Sequence, residues 1–235
     1  MGNDFSATVP DVNTHSNDRR PYHSPRRQEQ AAATRTQILA VAQRLFEHDG
    51  YAGTSMAAVA ADAGVSLKTV YVAFETKRGL LRAVWHRVLR GDGDNVPVGD
   101  QPWFRRVLDE PDPRNQLRLN AQNSREVKER AGQIMEVIRT AAPGDAEIGA
   151  LWQRIETEFH ANQRQVIESL HRKHALRKGL GVAAATDILW TLNHPGVYQS
   201  LVGDRGWSPA RYERWLTGIL TSQLLAGAQG SAPQG

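Results

Sequence analysis

Residues 64–81 read GVSLKTVYVAFETKRGLL, and this stretch decides the fold that the sequence predicts. It opens with Gly64, which can turn the chain, and Ser66 can then cap a short helix that runs through Phe74. Another helix begins near Thr76. The stretch offers hydroxyl groups, lysines and one tyrosine rather than an acid/base pair or a set of metal ligands. Its chemistry therefore suits the binding of an anion.

The short helix that follows Ser66 has an inward and an outward side. Val70 and Phe74 lie one turn apart, so both should face a core. This leaves Lys68, Thr69 and Tyr71 directed toward solvent or a ligand.

Two helices are predicted ahead of this stretch. Apolar residues recur at the spacing of one helical face from about Ala31, and Gly50 provides a stop. Thr54 or Ser55 can cap a second, short helix, and Gly64 turns the chain into the third. Two short helices joined by such a turn form a helix-turn-helix.

The composition fits a globular protein with a packed core. The chain has 235 residues, of which 40% are hydrophobic, and it has no cysteine. Disulfides and thiolate metal sites are therefore excluded, and a reducing cytoplasm is compatible with the sequence. No stretch approaches the ~20 apolar residues of a membrane span, and the first residues lack the pattern of a signal peptide. We therefore expect a cytoplasmic protein.

The positive charge of the chain is concentrated near its N-terminus. Residues 1–18 carry three aspartates and no Lys or Arg, whereas residues 19–90 carry 12 Lys and Arg against 5 Asp and Glu. Residues 91–235 carry 17 of each. The basic block suggests a polyanionic partner for that segment. A solvated basic face is the alternative.

Beyond Pro113 the pattern predicts long helices and no strands, so the expected fold class is all-α. One helix should run from Pro113 to about Ala141, and the next from about Asp145 to Ala175. The last two helices are separated by GDRGWSP, residues 203–209.

Several segments should interrupt or flank these helices. Pro195 should kink or end the helix that contains it. Residues 91–102, GDGDNVPVGDQP, are predicted to form a linker or loop. Residues 1–30 are predicted to be a disordered arm, which could follow a phosphate backbone or act only as a solubilising tail. Residues 227–235 are predicted to be a flexible tail.

Residues 38–81, ILAVAQRLFEHDGYAGTSMAAVAADAGVSLKTVYVAFETKRGLL, combine several motifs. A Leu-Phe pair precedes a Gly-Tyr turn, Thr-Ser starts the second helix, and Ala-x-x-x-Gly-Val-Ser forms the turn after it. Thr-Val-Tyr-x-x-Phe-x-x-Lys then leads into Leu-Leu. In this combination the sequence resembles the tetracycline-repressor (TetR) family of one-component bacterial regulators.

The resemblance implies two domains and a homodimer. Residues 31–80 would form a three-helix helix-turn-helix DNA-binding domain, and residues 81–226 a larger helical domain for ligand binding and dimerisation. The two recognition helices of the dimer would enter successive major grooves of double-stranded DNA. The half-sites of a palindromic operator would then lie about one helical turn apart, ~34–36 Å.

The resemblance also implies specific DNA contacts. Lys68 and Thr69 would contact bases or phosphates, and Tyr71 and Lys77 would hold phosphate. A hydroxyl or ammonium group at a helix N-terminus joins unpaired backbone donors in such a site. The alternative for Ser66 is that it serves only as a helix cap. The alternative for Thr69 is that it is a solvated position on the helix. The candidates for DNA contact are Arg35, Thr54, Ser55, Lys68, Thr69, Tyr71 and Lys77.

The C-terminal residues lack the motifs of catalysis. They contain no G-x-S-x-G, P-loop or H-E-x-x-H sequence. His171 and His174 lie beside Arg172 and Lys173, and this cationic neighbourhood opposes metal binding. We therefore expect neither an enzyme nor a metal or cofactor.

The helix after Pro113 suggests a ligand cavity. Its inward stripe places Asn120 and Ser124 where a simple core would have Leu or Ile, and buried polar groups need partners. Water or a small ligand could supply them. The alternative is that both residues face solvent or a neighbouring helix and that nearby aromatics are ordinary core. The candidate ligand-binding residues are Asn120, Ser124, Trp152, Phe159, Trp190 and His194.

The final two helices have wide apolar faces, which on the last helix include Trp215, Leu216, Ile219 and Leu220. Paired with their symmetry mates they would form a four-helix interface, as the resemblance also implies. Packing within the monomer is the competing explanation.

Three functions remain open at this stage. The first is a transcriptional regulator, most simply a repressor, that an unknown small-molecule effector releases from DNA. The second is a DNA-binding regulator without a ligand. The third, an α-helical enzyme, requires convergent acid/base groups that the sequence does not present.

Overall fold

The computed structural model describes residues 25–90 and 97–226, and this part of the chain is helical without strands. The predicted all-α class is confirmed. The helices are α1 (Pro25–Gly53), α2 (Met56–Asp62), α3 (Leu67–Phe74), α4 (Lys77–Arg90), α5 (Pro102–Asp109), α6 (Pro113–Ala141), α7 (Ala146–Arg172), α8 (Val182–Leu192), α9 (Pro195–Tyr198) and α10 (Pro209–Leu224). Short 3-10 turns at Val98–Asp100 and Ala142–Gly144 and a π-helical turn at Gln199–Asp204 connect them.

Helices α1, α2 and α3 form a small N-terminal unit, called the headpiece below. Val70 and Phe74 of α3 are buried in its core, as the sequence predicts. Apolar side chains of α1 and α2 meet them there, and those with no exposed surface are Ile38, Ala42, Phe46 and Val59.

The turn between α2 and α3 depends on Gly64. Its φ of 63° lies in the left-handed region, which glycine enters at little steric cost. The next amide, that of Val65, donates to the carbonyl of Ala60 at 3.0 Å and so closes the end of α2. Ser66 then caps α3, because its Oγ accepts the backbone N–H of Thr69 at 3.1 Å. Both local predictions are confirmed.

The corner between α3 and α4 is tight. Glu75 adopts a positive φ of 61°, and the Oγ1 of Thr76 accepts the N–H of Gly79 at 3.0 Å. A Cβ atom at Gly79 would lie 2.3 Å from the carbonyl oxygen of Phe74. Glycine is therefore required here so that α4 can start directly beneath the end of α3.

Helix α4 continues the headpiece core into the rest of the molecule. Leu81 and Val84 are fully buried in the same cluster as the headpiece core. At the other end of α4, Arg130 of α6 donates to the carbonyls of Val88 at 2.7 Å and Leu89 at 3.2 Å. The last carbonyls of a helix have no partner within it, so Arg130 ties the end of α4 to α6.

Within the residues that the structure describes, helix α6 contributes to two hydrophobic cores. Its C-terminal half contributes Ile134 and Ile138 to the core that contains the headpiece, and both are fully buried. Its N-terminal half contributes Leu117 and Ala121 to a second core, which also holds the buried residues of α5, α8 and α10. The 29-residue length of α6 thus connects the two ends of the protein.

Two predicted boundaries differ from the structure. Helix α1 begins at Pro25 rather than near Ala31, so residues 25–30 of the predicted arm are helical. Their helix-forming residues face solvent and give no apolar periodicity from which the start could be detected. Helix α5 was not predicted, because eight residues after a loop signal are too few to establish a period.

The break at Pro195 is confirmed. Helix α8 ends at Leu192, and Pro195 is the first residue of the short helix α9, where a missing backbone N–H has no cost. Residues 1–24, 91–96 and 227–235, which hold most of the predicted arm, half of the predicted linker and the predicted tail, lie outside the described residues.

Within the described ranges, none of the helices taken singly has the length and apolar character needed to cross a membrane. Helices α2 and α3 taken as a pair do meet that test by length and composition, and they are bent by 115°.

Gly79→Ala is expected to destabilise the fold by roughly 1–3 kcal/mol, because the added methyl must displace the Phe74 carbonyl. Gly132→Ala on α6 is the matched control, since a Cβ there meets nothing within 4 Å. It should raise the free energy of unfolding by up to about 1 kcal/mol. Urea denaturation measures both variants, and equal effects of the same sign would contradict the tight α3–α4 corner.

Candidate nucleic-acid interface and ligand cavity

The outward side of α3 presents both polar and apolar groups to solvent. Lys68 is exposed, and Tyr71 exposes 48% of its surface. Val72 exposes 76% and Leu67 42%, large values for apolar residues on a helix with a buried side. The major groove of B-DNA is wide enough to admit an α-helix, so the exposed side of α3 can reach base edges there.

Thr69 lies at the margin of this surface. It is half-buried, and its Oγ1 lies 2.8 Å from the capping oxygen of Ser66. A hydroxyl has one proton and two lone pairs, so Thr69 keeps capacity for a further hydrogen bond.

Arg35 braces the C-terminal end of α3 against α1. Its Nη1 donates to the carbonyl of Ala73 at 2.8 Å, and its guanidinium carbon lies 4.4 Å from the ring centroid of Phe74. The side chain remains exposed. Because a guanidinium has five N–H donors, Arg35 can hold α3 and still contact a phosphate.

Lys77 occupies the first turn of α4. Its Nζ lies 4.2 Å from the ring centroid of Tyr51, and burial lowers its pKa from the ordinary value. A cation at a helix N-terminus opposes the helix dipole. An anion bound beside Lys77 would relieve that repulsion and would also be attracted to the positive end of the helix dipole.

The prediction for Thr54 requires a correction. Thr54 is only 2% exposed, and its hydroxyl donates to the carbonyl of Gly50 at 2.8 Å. It therefore stabilises the bend at the end of α1 and has no surface for DNA. Its neighbour Ser55 is exposed, and its Oγ accepts the N–H of Ala58 at 3.0 Å as the cap of α2.

Val72 is a surface residue that the sequence reasoning missed. It lies one helical turn from Lys68 and 200° around the helix from the buried Val70. Because Val72 is apolar, it was not considered as a surface residue. Its helical spacing from Val70 and Phe74 would have placed it on the outward side of α3.

An ion pair connects α4 to α7. The guanidinium of Arg78 donates to Asp145 at 2.6 Å and to Glu147 at 3.0 Å. Asp145 also caps α7 through the N–H groups of Glu147 and Ile148. The hydrogen bond from Arg78 is the main cause that lowers the pKa of the Asp145 carboxyl.

A cavity of about 100 Å³ lies among α4, α5, α6 and α7. Its wall is mostly apolar, with the aromatic rings of Trp85, Trp103, Phe104 and Phe159 and the side chain of Leu89. This volume is below the roughly 150 Å³ that accommodates benzene in a protein core. A larger ligand must therefore displace part of the wall.

The predicted ligand-binding residues divide into two groups. Asn120, Ser124 and Phe159 line this cavity. Trp152 and His194 instead line a neighbouring pocket between α6 and α9. Trp190 lines neither and packs on His194 with ring centroids 5.2 Å apart. The prediction that all six residues line one cavity is therefore wrong for Trp152, Trp190 and His194. Tertiary packing determines how each helix is rotated about its axis, and so which of its side chains face the cavity.

Asn120 has an unusual environment. Only 5% of its surface is exposed, and its Nδ2 is buried without an acceptor. A buried amide donor without an acceptor costs about 1–3 kcal/mol. Asn120 lines the cavity, so a ligand that displaces part of the wall would meet an amide whose donor has no partner within the protein.

Lys128 is buried between the cavity and the neighbouring pocket, with 5% of its surface exposed. Its Nζ lies within hydrogen-bond distance of four uncharged oxygens, at 2.7–2.8 Å. These oxygens are Ser124 Oγ, Asn193 O, Asn193 Oδ1 and Tyr212 OH. Burial lowers the pKa of Lys128 well below its ordinary value.

Comparison with known proteins supports the assignment of a helix-turn-helix to the headpiece. Residues 38–84 match the family of bacterial regulatory proteins called tetR. The matched residues extend from α1 through the helix-turn-helix into α4.

Solved structures share the fold over most of the chain. A Mesorhizobium loti protein assigned to the TetR family is 20% identical, with a TM-score of 0.65 over 84% of this chain and 99% of that chain. NalD, the secondary repressor of the MexAB-OprM multidrug efflux pump in Pseudomonas aeruginosa, is 21% identical, with a TM-score of 0.61 over 83% and 98%. A transcriptional regulator from Aquifex aeolicus is 15% identical, with a TM-score of 0.61 over 80% and 98%.

The predicted resemblance to the TetR family is confirmed, and the matched residues have the character of a DNA-binding transcriptional regulator. The structural likenesses, at these identities, show the fold alone. None of the curated proteins matches the sequence. Because the family match spans residues 38–84, it covers the headpiece from within α1 onward and leaves the cavity to be interpreted from its own residues.

The Tyr71→Phe, Lys77→Ala double variant is expected to bind all DNA sequences more weakly. The slope of log affinity against log salt should fall by about one, because one phosphate-neutralising cation is lost. Lys178→Ala is the control, since it removes an exposed cation outside the headpiece. Salt titrations of DNA binding test this, and an unchanged slope in the double variant would refute the phosphate roles.

Lys128 predicts a pH-dependent stability. Burial lowers the pKa of Lys128 in the folded state, whereas in the unfolded chain the pKa has its ordinary value of about 10.5. The unfolded state then binds more protons, so the free energy of unfolding should rise with pH, by up to about 1.4 kcal/mol per pH unit. Urea denaturation between pH 7.5 and 9.5 measures the rise. Lys128→Met should lack it, and equal pH slopes for the two proteins would contradict this assignment.

Proposed function

We propose that the protein is a transcriptional repressor that binds a palindromic operator as a homodimer in the cytoplasm and is released by a small molecule. One observation carries this proposal: α4 belongs both to the headpiece core and to the cavity wall. Leu81 and Val84 pack in the headpiece core, while Trp85 and Leu89 line the cavity. A ligand that displaces Trp85 would therefore displace the support of α3.

The size of the cavity favours a coupled change. At about 100 Å³ it holds at most a very small molecule without adjustment. A ligand shifts the equilibrium between two conformations of a protein only if it binds one of them more tightly than the other. The state with α4 displaced would have the larger cavity, so a ligand too large for the present cavity would bind that state preferentially.

The proposed dimer uses α8 and α10. Leu216 and Leu220 are fully buried within the chain's own second core, so they support α10 from inside. Trp215 and Ile219 of α10 are only half-buried, as is Ile188 of α8. These three residues are the apolar groups that a symmetry mate would cover.

The proposed DNA contacts are the exposed candidates of the headpiece. Lys68, Thr69 and Tyr71 lie on α3, and Lys77 and Ser55 lie at the N-termini of α4 and α2. Arg35 joins them at the end of α3. Thr54 is excluded by its burial.

The direct test is to select DNA bound by the purified protein from fragments of the source genome and then to screen small molecules for release. We expect a palindromic site bound by two chains and at least one compound that lowers affinity tenfold or more. A bound site that no compound releases would favour a regulator without a ligand. Absence of DNA binding at low salt would overturn the proposal as a whole.

Ile219→Glu is expected to convert the dimer into a monomer, because it places a charge in an apolar interface. Thr157→Glu adds the same charge to an exposed position of α7 and should leave the dimer intact. Light scattering at micromolar concentration distinguishes the two states. A dimeric Ile219→Glu protein, or a monomeric unmodified protein, would contradict the proposed interface.

A further inference from the structure

The cavity wall carries information about the effector, beyond the proposal that one exists. Its apolar surface suits an apolar body. Its one described buried donor without an acceptor is the Nδ2 of Asn120. Other polar side chains beside it are engaged: Asn123 donates to the carbonyl of Trp103 at 3.2 Å, and the hydroxyl of Ser124 donates to Asn193.

Lys128 does not make this an acid-binding site. Even when protonated, Lys128 has only three N–H donors, and the four oxygens around its Nζ already exceed that number. A carboxylate would have to displace one of these oxygens and would add a charge to a mostly apolar cavity.

A cationic ligand is also poorly matched. The carboxylate of Glu156 lies 3.5 Å from the Nε2 of His194, and Glu158 is exposed to solvent. The free group of Asn120 is a donor, which an ammonium ion cannot use.

We infer that the effector is an uncharged molecule with an apolar body and a carbonyl oxygen, as in a ketone, ester, lactone or amide. The carbonyl oxygen accepts the Nδ2–H of Asn120, and the body packs against the aromatic wall formed by Trp85, Phe104 and Phe159. This inference rests on the proposed release by a small molecule, whose occurrence is tested separately.

Four probes of similar shape test the inference by calorimetry. They are acetophenone, its hydrocarbon counterpart α-methylstyrene, the anion benzoate and the cation benzylammonium. The unmodified protein should bind acetophenone about fivefold more tightly than α-methylstyrene, the effect of one net hydrogen bond. It should bind the two ions more weakly than acetophenone.

Asn120→Leu provides the matched variant, because it keeps the approximate volume and removes the donor. It should bind both uncharged probes alike while unfolding at the same or a higher temperature, since a buried donor without an acceptor is removed. A preference for acetophenone that survives in Asn120→Leu would overturn the inference, as would tighter binding of either ion. So would failure of the unmodified protein to bind acetophenone.

These results are independent of the DNA-release screen. If acetophenone binds with the expected dependence on Asn120 but no compound releases the operator, the proposed function fails while the cavity assignment stands. If other compounds release DNA and the carbonyl preference is absent, only this inference fails.

A second inference follows independently from the exposed side of α3. Val72 lies opposite the buried side of the helix and exposes 76% of its surface beside Lys68. An isopropyl group cannot form hydrogen bonds, and the apolar group that B-DNA presents in the major groove is the C5-methyl of thymine. We propose that Val72 contacts a thymine methyl in each operator half-site and so determines specificity there.

Uracil substitution tests this contact, because it removes the thymine methyl and keeps all base-pair hydrogen bonds. In the experiment, the thymines of the selected operator are replaced by uracil one at a time. We expect one position per half-site at which uracil weakens binding about fourfold, because one buried methyl group contributes about that much. Val72→Ala should abolish that loss and still bind DNA through its phosphate contacts. If no uracil position distinguishes the Val72→Ala protein from the unmodified one, the assignment is wrong.

Discussion

The packing of α4 against two partners is the constraint on which the rest of the structure depends. On one side Val84 completes the core that holds α3 in place, and on the other Trp85 forms a wall of the cavity. Protein interiors are close-packed and respond to added volume by displacement rather than by compression. A change of contents in the cavity therefore acts directly on the helix beneath the headpiece.

Polar contacts hold both ends of α4. Arg130 binds the carbonyls of its last turn, and Arg78 in its first turn is paired with Asp145 at the start of α7. A half-exposed ion pair contributes little to overall stability, yet it favours one arrangement of α4 and α7 over others. The two contacts define a resting position from which α4 can be moved only by an interaction of comparable strength.

The sequence predicted the features that depend on neighbours along the chain. Helical spacing placed Val70 and Phe74 inside, and the cap and turn signals located the helix-turn-helix and its family. The sequence could not predict which side of a helix contacts which neighbouring helix. The rotation of each helix about its own axis is determined by packing between segments that are distant in the chain. Thr54 was therefore assigned to DNA although it is buried, and Trp152 and His194 were assigned to a cavity that they do not line.

The central claim is that the cavity controls the separation of the two headpieces through α4. Because the chain has no cysteine, His48→Cys places a single spin label on an exposed position of each headpiece. Pulsed electron paramagnetic resonance then measures the distance between the two labels of a dimer. We predict one narrow distance with operator DNA and a different, longer distance with a small molecule that releases it. Release of DNA with an unchanged distance distribution would contradict the account.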